Sequence, residues 1–185
     1  FPLIQAVKKV AGALAAGCSI ILKGATEAPT CAVELVKAFA DAGVSPGAVN
    51  LLFGDSSQIS EHLIAHPSIR KVTFTGSTPV GKKLASLAGL HMKRSTMELG
   101  GHAPVIVMDD ADIATAVKIS VAAKYRNAGQ VCVSPTRFLV HYKVFDEFVS
   151  CFVEGARAIK VGDGLDPTVT MGPMAHLGRL KATEE

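Results

Sequence analysis

Arg70-Lys71-Val72-Thr73-Phe74-Thr75-Gly76-Ser77-Thr78-Pro79-Val80-Gly81-Lys82 decides the fold. The first six residues are rich in β-branched and aromatic side chains and predict a strand over 70–75. The helix expected from Pro79 to about Leu87 carries proline in its first turn, where a missing N–H breaks no intrahelical bond. A strand that passes through Gly76 straight into a helix leaves free amides at its end. Such amides suit an approaching anion.

The same alternation extends upstream. Apolar residues at Ile4, Val7, Val10, Ala11 and Leu14 predict a helix over 4–16, with Lys8 and Lys9 on its other face and Gly17 as terminator. A strand over 18–23, a helix from Pro29 to Gly43, a turn at Ser45-Pro46-Gly47, a strand over 49–53 and a helix over 57–65 follow. Strand alternating with helix predicts an α/β fold: a Rossmann-like parallel sheet, with helices on both faces, built from the strands near 18–23, 49–53 and 70–75. Downstream, strands over 95–99 and 103–108 flank Gly100-Gly101. A helix over 112–125, with Asp110 and Asp112 at its positive end, a strand over 137–141 and a helix over 145–159 come next. A Gly-, Pro- and Asp-rich loop then leads to a polar helix expected to begin near Glu184. The glycine pair marks the boundary between a cofactor half, 1–99, and the start of a second α/β domain, 100–185.

A chain of 185 residues, 49% of them apolar, can bury a real core. Its formal net charge of +3 comes without any run of Lys or Arg, which argues against nucleic acid and anionic membrane surfaces as partners. Apolar runs such as Ile20–Leu22 are far too short to span a bilayer. Cys18, Cys31 and Cys151 fall in apolar stretches and read as small core hydrophobes. Neither the cysteines nor the scattered histidines show ligand spacing, so no metal is expected, and free thiols suit a reducing, cytoplasmic setting. Phe1-Pro2-Leu3 lacks the features of a signal peptide, and both ends read as cut, which leaves organelle targeting open.

Three places could carry chemistry. The turn at 76–82 matches a phosphate loop in its glycines and Lys82, but Lys83 stands where Ser or Thr would hold magnesium, and Pro79 removes one amide. A triphosphatase is thus disfavoured, leaving a dinucleotide's diphosphate against Gly76 and Ser77, or a plain strand–turn–helix. Cys132, in Asn127-Ala128-Gly129-Gln130-Val131-Cys132-Val133-Ser134-Pro135, lies in a loop where a thiol can meet a substrate or be incidental. Glu98 stands at a strand end before Leu99-Gly100-Gly101, where a carboxylate can serve as a base or be an exposed charge.

Their order resembles a known family. FTGS at Phe74–Ser77, MELGG at Met97–Gly101 and NAGQVC at Asn127–Cys132 resemble the NAD(P)-dependent aldehyde dehydrogenase superfamily, in register over the whole chain. Phe1-Pro2 resembles the residues after the family's catalytic asparagine, Lys23-Gly24-Ala25-Thr26-Glu27-Ala28-Pro29 its adenosine-ribose segment, and Gly172-Pro173 a further family turn. The resemblance implies oxidation of an aldehyde to a carboxylic acid. Cys132 is then the nucleophile, its backbone N–H an oxyanion donor, and Glu98 the base that activates water against the thioester. Lys23 would bind the adenosine ribose, Gly76 and Ser77 the pyrophosphate, and Leu99 would contact the cofactor near the nicotinamide. Many NAD-preferring members have glutamate at the position of Thr26; a neutral threonine beside Lys23 admits NADP as well as NAD. Ser56 departs from a family glycine, which bears on the adenine end.

Lys124-Tyr125-Arg126-Asn127-Ala128-Gly129-Gln130 resembles the succinate-semialdehyde dehydrogenase branch, with Arg126 placed to meet a substrate carboxylate, although Ser134 replaces that branch's second cysteine. A homo-oligomeric parent is implied. The asparagine, a downstream glutamate and the oligomerisation hairpin lie outside these residues, so the segment alone is expected to be inactive. The alternatives are a relative that acylates coenzyme A, against which Glu98 speaks, and an inactive dinucleotide-binding module.

Overall fold

A crossover helix brings the chain back to the edge where the preceding strand began, so the two strands it joins run in the same direction. In the computed structural model, which describes residues 2–184, β1 (Ile20–Lys23) pairs with β2 (Val49–Leu52), β3 (Lys71–Thr75) with β4 (Arg94–Glu98), and β5 (Ala103–Val107) with β6 (Pro135–Val140). All three pairings are parallel. The elements fall into two units, Phe1–Leu99 and Gly100–Glu185.

In the first unit, α1 (Pro2–Ala15) buries Ala6 and Val10 and packs on α2 (Pro29–Asp41), which buries Ala32. Helices α3 (Ser56–Ala65) and α4 (Thr78–Leu90) enclose Ile64, Leu84 and Ala88 together with Val72, Phe74 and Met97. Because side chains alternate along a strand, Thr73, Thr75, Thr96 and Glu98 face the other way. There Gln5, Lys8 and Lys9 of α1 line a cleft with Thr73, Thr96 and Glu98. The β3–β4 pair therefore has helices on both faces. One expectation needs correction: among the described residues, β1, β2 and β3 do not form a single hydrogen-bonded sheet but fall into two pairs, β1 with β2 and β3 with β4. The chain returns from α4 through a short turn containing Met92 at φ 51°, which sets β4 beside β3 with Phe74 opposite Met97.

In the second unit, α5 (Ile113–Tyr125) and α6 (Phe145–Arg157) pack against each other. Val107, Ile113, Val117 and Phe148 form the core, with Phe138 and Phe152 against it. Burying Phe148, only 3% exposed, contributes on the order of 1.5–3 kcal/mol. The Phe138 and Phe152 rings meet edge to face at 5.2 Å. Helix α7 spans Leu177–Glu184 and begins seven residues before the expected start at Glu184.

The cysteines divide differently from the sequence reading. Cys151 packs against the second core and Cys31 is half-buried, but Cys18 is exposed. Gly17, at φ 69°, ends the helix in a left-handed turn. β1 then begins only at Ile20, which leaves Cys18 in the connection. Among the described residues, no helix is long and apolar enough to cross a membrane.

Candidate functional site

Lys23 is the last residue of β1, in register with Leu52. Its ammonium group donates to Thr26 Oγ1 at 3.2 Å, across the exposed turn that leads to α2. Gly24 between them is buried, and a Cβ there would lie 2.4 Å from Phe53 Cε1. Any larger residue there would have to displace the Phe53 ring. Glu27 is exposed on the same turn. Downstream, the Asp55 carboxylate accepts from Gln58 N at 2.8 Å and caps α3 where the sequence departs from the family pattern.

At the end of the β3–β4 pair, Thr75 lies opposite Glu98, and Gly76 N donates to Glu98 O at 3.1 Å. Ser77 is the N-cap of α4 and makes no side-chain cap, so the first-turn amides of Thr78 and Val80 lack intrahelical carbonyls. Thr75 Oγ1 is buried without a hydrogen-bond partner, a state that costs on the order of 1–3 kcal/mol unless a ligand group relieves it. The Glu98 carboxylate is exposed. Leu99 is half-buried and lies over Gly81, where a Cβ would come 2.4 Å from Leu99 Cδ2. An orphaned hydroxyl, an open helix N-terminus and a cation at a strand end fit the polar and anionic groups of a dinucleotide.

Sequence reasoning assigned no role to Thr75 or Lys9. Lys9 lines the cleft of about 180 Å³ that also holds Glu98. Burial pushes its ammonium below the ordinary lysine value, and the Glu98 charge opposes that shift. The available signal was the 3.6-residue period of α1, which put Lys9 off the apolar stripe but could not show that a carboxylate faced it.

In the second unit, Arg126 ends α5 and is exposed. Asn127 and Ala128 then adopt left-handed backbone, at φ 54° each, and Gly129 follows at φ 74°. This turn carries the chain to Cys132, whose thiol is exposed. Val131 N donates to Gly129 O and Ser134 N to Val131 O, both at 2.9 Å. Among the described residues, the Cys132 N–H has no acceptor and is free to donate. Buried Ser134 anchors the loop by donating to Lys124 O at 3.2 Å. A Cβ on Gly101 would lie 2.9 Å from Cys132 O, so the two backbones pass in close contact. A larger hollow of about 200 Å³, lined by Val105, Ile119, Ser120 and their neighbours, holds no acid or base that could activate the Ser120 hydroxyl. Among the described residues, no three His, Cys, Asp or Glu side chains converge as a metal site would require.

The chain is similar to 4-(hydroxymethyl)benzenesulfonate dehydrogenase of Comamonas testosteroni, with 48% identity over 185 residues, 100% of this chain and 38% of the relative. It is 42% identical over 184 residues to the mitochondrial succinate-semialdehyde dehydrogenase of Arabidopsis thaliana, again 100% of this chain but 35% of the relative. A crystal structure of an E. coli NADP dependent enzyme superposes at a TM-score of 0.95 with 38% identity, over 99% of this chain and 38% of that one. The chain thus spans less than two fifths of the length of these proteins. The model of the aldehyde dehydrogenase family matches residues 1–185, and on that match and these identities the chain belongs to the aldehyde dehydrogenase family.

Proposed function

We propose that this chain works as the central segment of an NAD(P)-dependent aldehyde dehydrogenase, with 1–99 as part of its dinucleotide-binding domain and 100–185 as part of its catalytic domain. The observation that carries the reading is the exposed Cys132 thiol on a hydrogen-bonded turn, with its own amide free to donate. As a thiolate, Cys132 adds to the aldehyde carbon and forms a thiohemiacetal, whose oxyanion the Cys132 N–H stabilises. The bound nicotinamide supplies the hydride acceptor that converts this adduct to a thioester. Glu98 takes a proton from water, the water oxygen adds to the thioester carbon, and the thiolate leaves as the carboxylic acid forms.

Lys23 and Thr26 are read as the adenosine-ribose contacts, Gly76 and Ser77 as the pyrophosphate contacts, and Leu99 as a contact near the nicotinamide. The orphaned Thr75 hydroxyl supports a ligand at this strand end. Thr26 brings no charge against a 2′-phosphate and Lys23 brings a favourable one, which supports NADP alongside NAD. The relatives' names support a substrate with an anionic group: one names a hydroxymethyl benzenesulfonate, the other succinate semialdehyde, an aldehyde that carries a carboxylate. Exposed Arg126, six residues before the nucleophile, is the residue we assign to that group. Four free cysteines support a reducing compartment such as the cytoplasm, and the family resemblance supports a homo-oligomer.

The test is kcat/KM for succinate semialdehyde and for butanal in the full-length enzyme carrying this segment. Arg126→Met should lower the first on the order of tenfold or more and leave the second nearly unchanged. Equal loss on both substrates would remove the arginine's assignment, and no cofactor reduction with any aldehyde would remove the activity.

A further inference from the structure

The turn before the nucleophile adopts a backbone that its local sequence does not favour. Three consecutive residues, Asn127, Ala128 and Gly129, lie in the left-handed region at φ 54°, 54° and 74°. Asparagine and glycine tolerate that region, but alanine pays for it in contacts between its Cβ and the following carbonyl. Such a conformation persists only where its surroundings over-determine it.

The surroundings here centre on Gln130. Its Nε2 donates to Asn127 O at 3.0 Å, and its backbone N–H donates to the same carbonyl at 3.1 Å. In return, Asn127 Nδ2 donates to Gln130 O at 3.2 Å. Two side chains thus close the turn reciprocally. The remaining polar atom of the amide, Gln130 Oε1, accepts from Ala175 N at 3.1 Å, 45 residues along the chain. Gln130 is half-buried, and each end of its side-chain amide has a partner.

We infer that Gln130, with Asn127, is a positioning residue for Cys132: the amide locks the left-handed turn and ties it to the segment at Ala175, which fixes where the thiol and the free Cys132 N–H point. The inference rests on the reading of Cys132 as the nucleophile. Gln130 touches no reacting atom in this account and acts through the two-residue link of Val131 and Cys132. Loss of the lock leaves the thiol present and exposed but spread over several orientations, so the chemical step slows while cofactor binding, which draws on the other unit, does not.

The experiment uses the full-length enzyme. Gln130→Met keeps length and volume but removes every side-chain hydrogen bond. Asn127→Gly keeps the left-handed backbone, removes only the donor to Gln130 O, and serves where the first variant folds poorly. Both are expected to lower the single-turnover rate of cofactor reduction by roughly ten- to a hundredfold, the scale of an ångström-sized misplacement. The cofactor Kd, read by calorimetry, should stay within about twofold of the parent. The rate of Cys132 alkylation by iodoacetamide should change while the melting temperature holds, which a purely structural role would not produce. Parent-like single-turnover rates in both variants, or losses that follow the cofactor Kd, would overturn the proposal. Peptide mapping of the alkylated parent separates the two readings. Label on another cysteine ends the nucleophile assignment itself, whereas label on Cys132 with unimpaired variants ends only the role of Gln130.

Discussion

Lys23 Nζ donates to Thr26 Oγ1 at 3.2 Å, so the cation at the end of β1 is held over the turn by a neutral hydroxyl rather than by a carboxylate. A 2′-phosphate placed there meets one positive charge and a hydrogen-bond donor. Thr26→Glu puts a like charge at contact distance, at a cost of about 1–3 kcal/mol in a partly solvated site, or roughly five- to 150-fold in affinity. The variant should therefore lose kcat/KM with NADP by that order and hold or gain with NAD, whose ribose hydroxyl the new carboxylate can accept. Steady-state kinetics with both cofactors checks it. A parent already strict for NAD, and unchanged by the substitution, would shift the ribose contact to Glu27.

Gly101 and Gly100 predict opposite outcomes for the same change. A methyl group at 101 comes 2.9 Å from the Cys132 carbonyl oxygen, whereas at 100 it meets nothing within 4 Å. The neighbour at 101 is backbone and cannot swing aside. Gly101→Ala should cost about 1–3 kcal/mol by overpacking and slow alkylation of Cys132, and Gly100→Ala should do neither. Thermal melts and iodoacetamide kinetics on the pair test the contact.

Asp112 carries a pH dependence whose sign can be worked out. Its carboxylate accepts from Thr115 N at 3.1 Å and from Thr115 Oγ1 at 3.0 Å as the N-cap of α5. The backbone hydrogen bond, then the hydroxyl, hold its carboxyl below the ordinary aspartate range. A carboxyl depressed in the folded state contributes stability that is complete above the unfolded value and is lost as pH falls through the folded one. Asp112→Ala should lower Tm at pH 7. The difference from the parent should shrink as pH falls below the ordinary aspartate range. Asp112→Asn should lose less, because it keeps the capping oxygen.

The elements were legible where a local pattern and a local terminator coincide. Pro29 and Pro79 lie in the first turns of α2 and α4, and Asp112 caps α5, close to where their residue types predicted. The pairing of β3 was not legible, because it depends on how short a return α4 allows. Cys18 was misplaced in the core because the apolar pattern around it says nothing about where Gly17 turns the chain. Lys9 and Thr75 stood in plain view as residue types, but only the pairing of β3 with β4 and the cover of α1 put them beside Glu98. The left-handed turn at 127–129 was hidden for a similar reason. Alanine argues locally against φ 54°, and the amide of Gln130 imposes it from outside the turn.

The central claim is that Cys132 carries the acyl group and Glu98 provides for its removal. Glu98→Gln keeps size and one acceptor oxygen but removes the base, so acylation should proceed and deacylation stall. The most direct measurement is rapid mixing of this full-length variant with aldehyde and cofactor, followed by peptide mass analysis of the quenched protein. The account predicts a burst of reduced cofactor near one equivalent per active site and an acyl mass on the peptide containing Cys132, with Cys132→Ala giving neither. Turnover at the parent's rate in Glu98→Gln, or an acyl group on Cys18, Cys31 or Cys151, would contradict it.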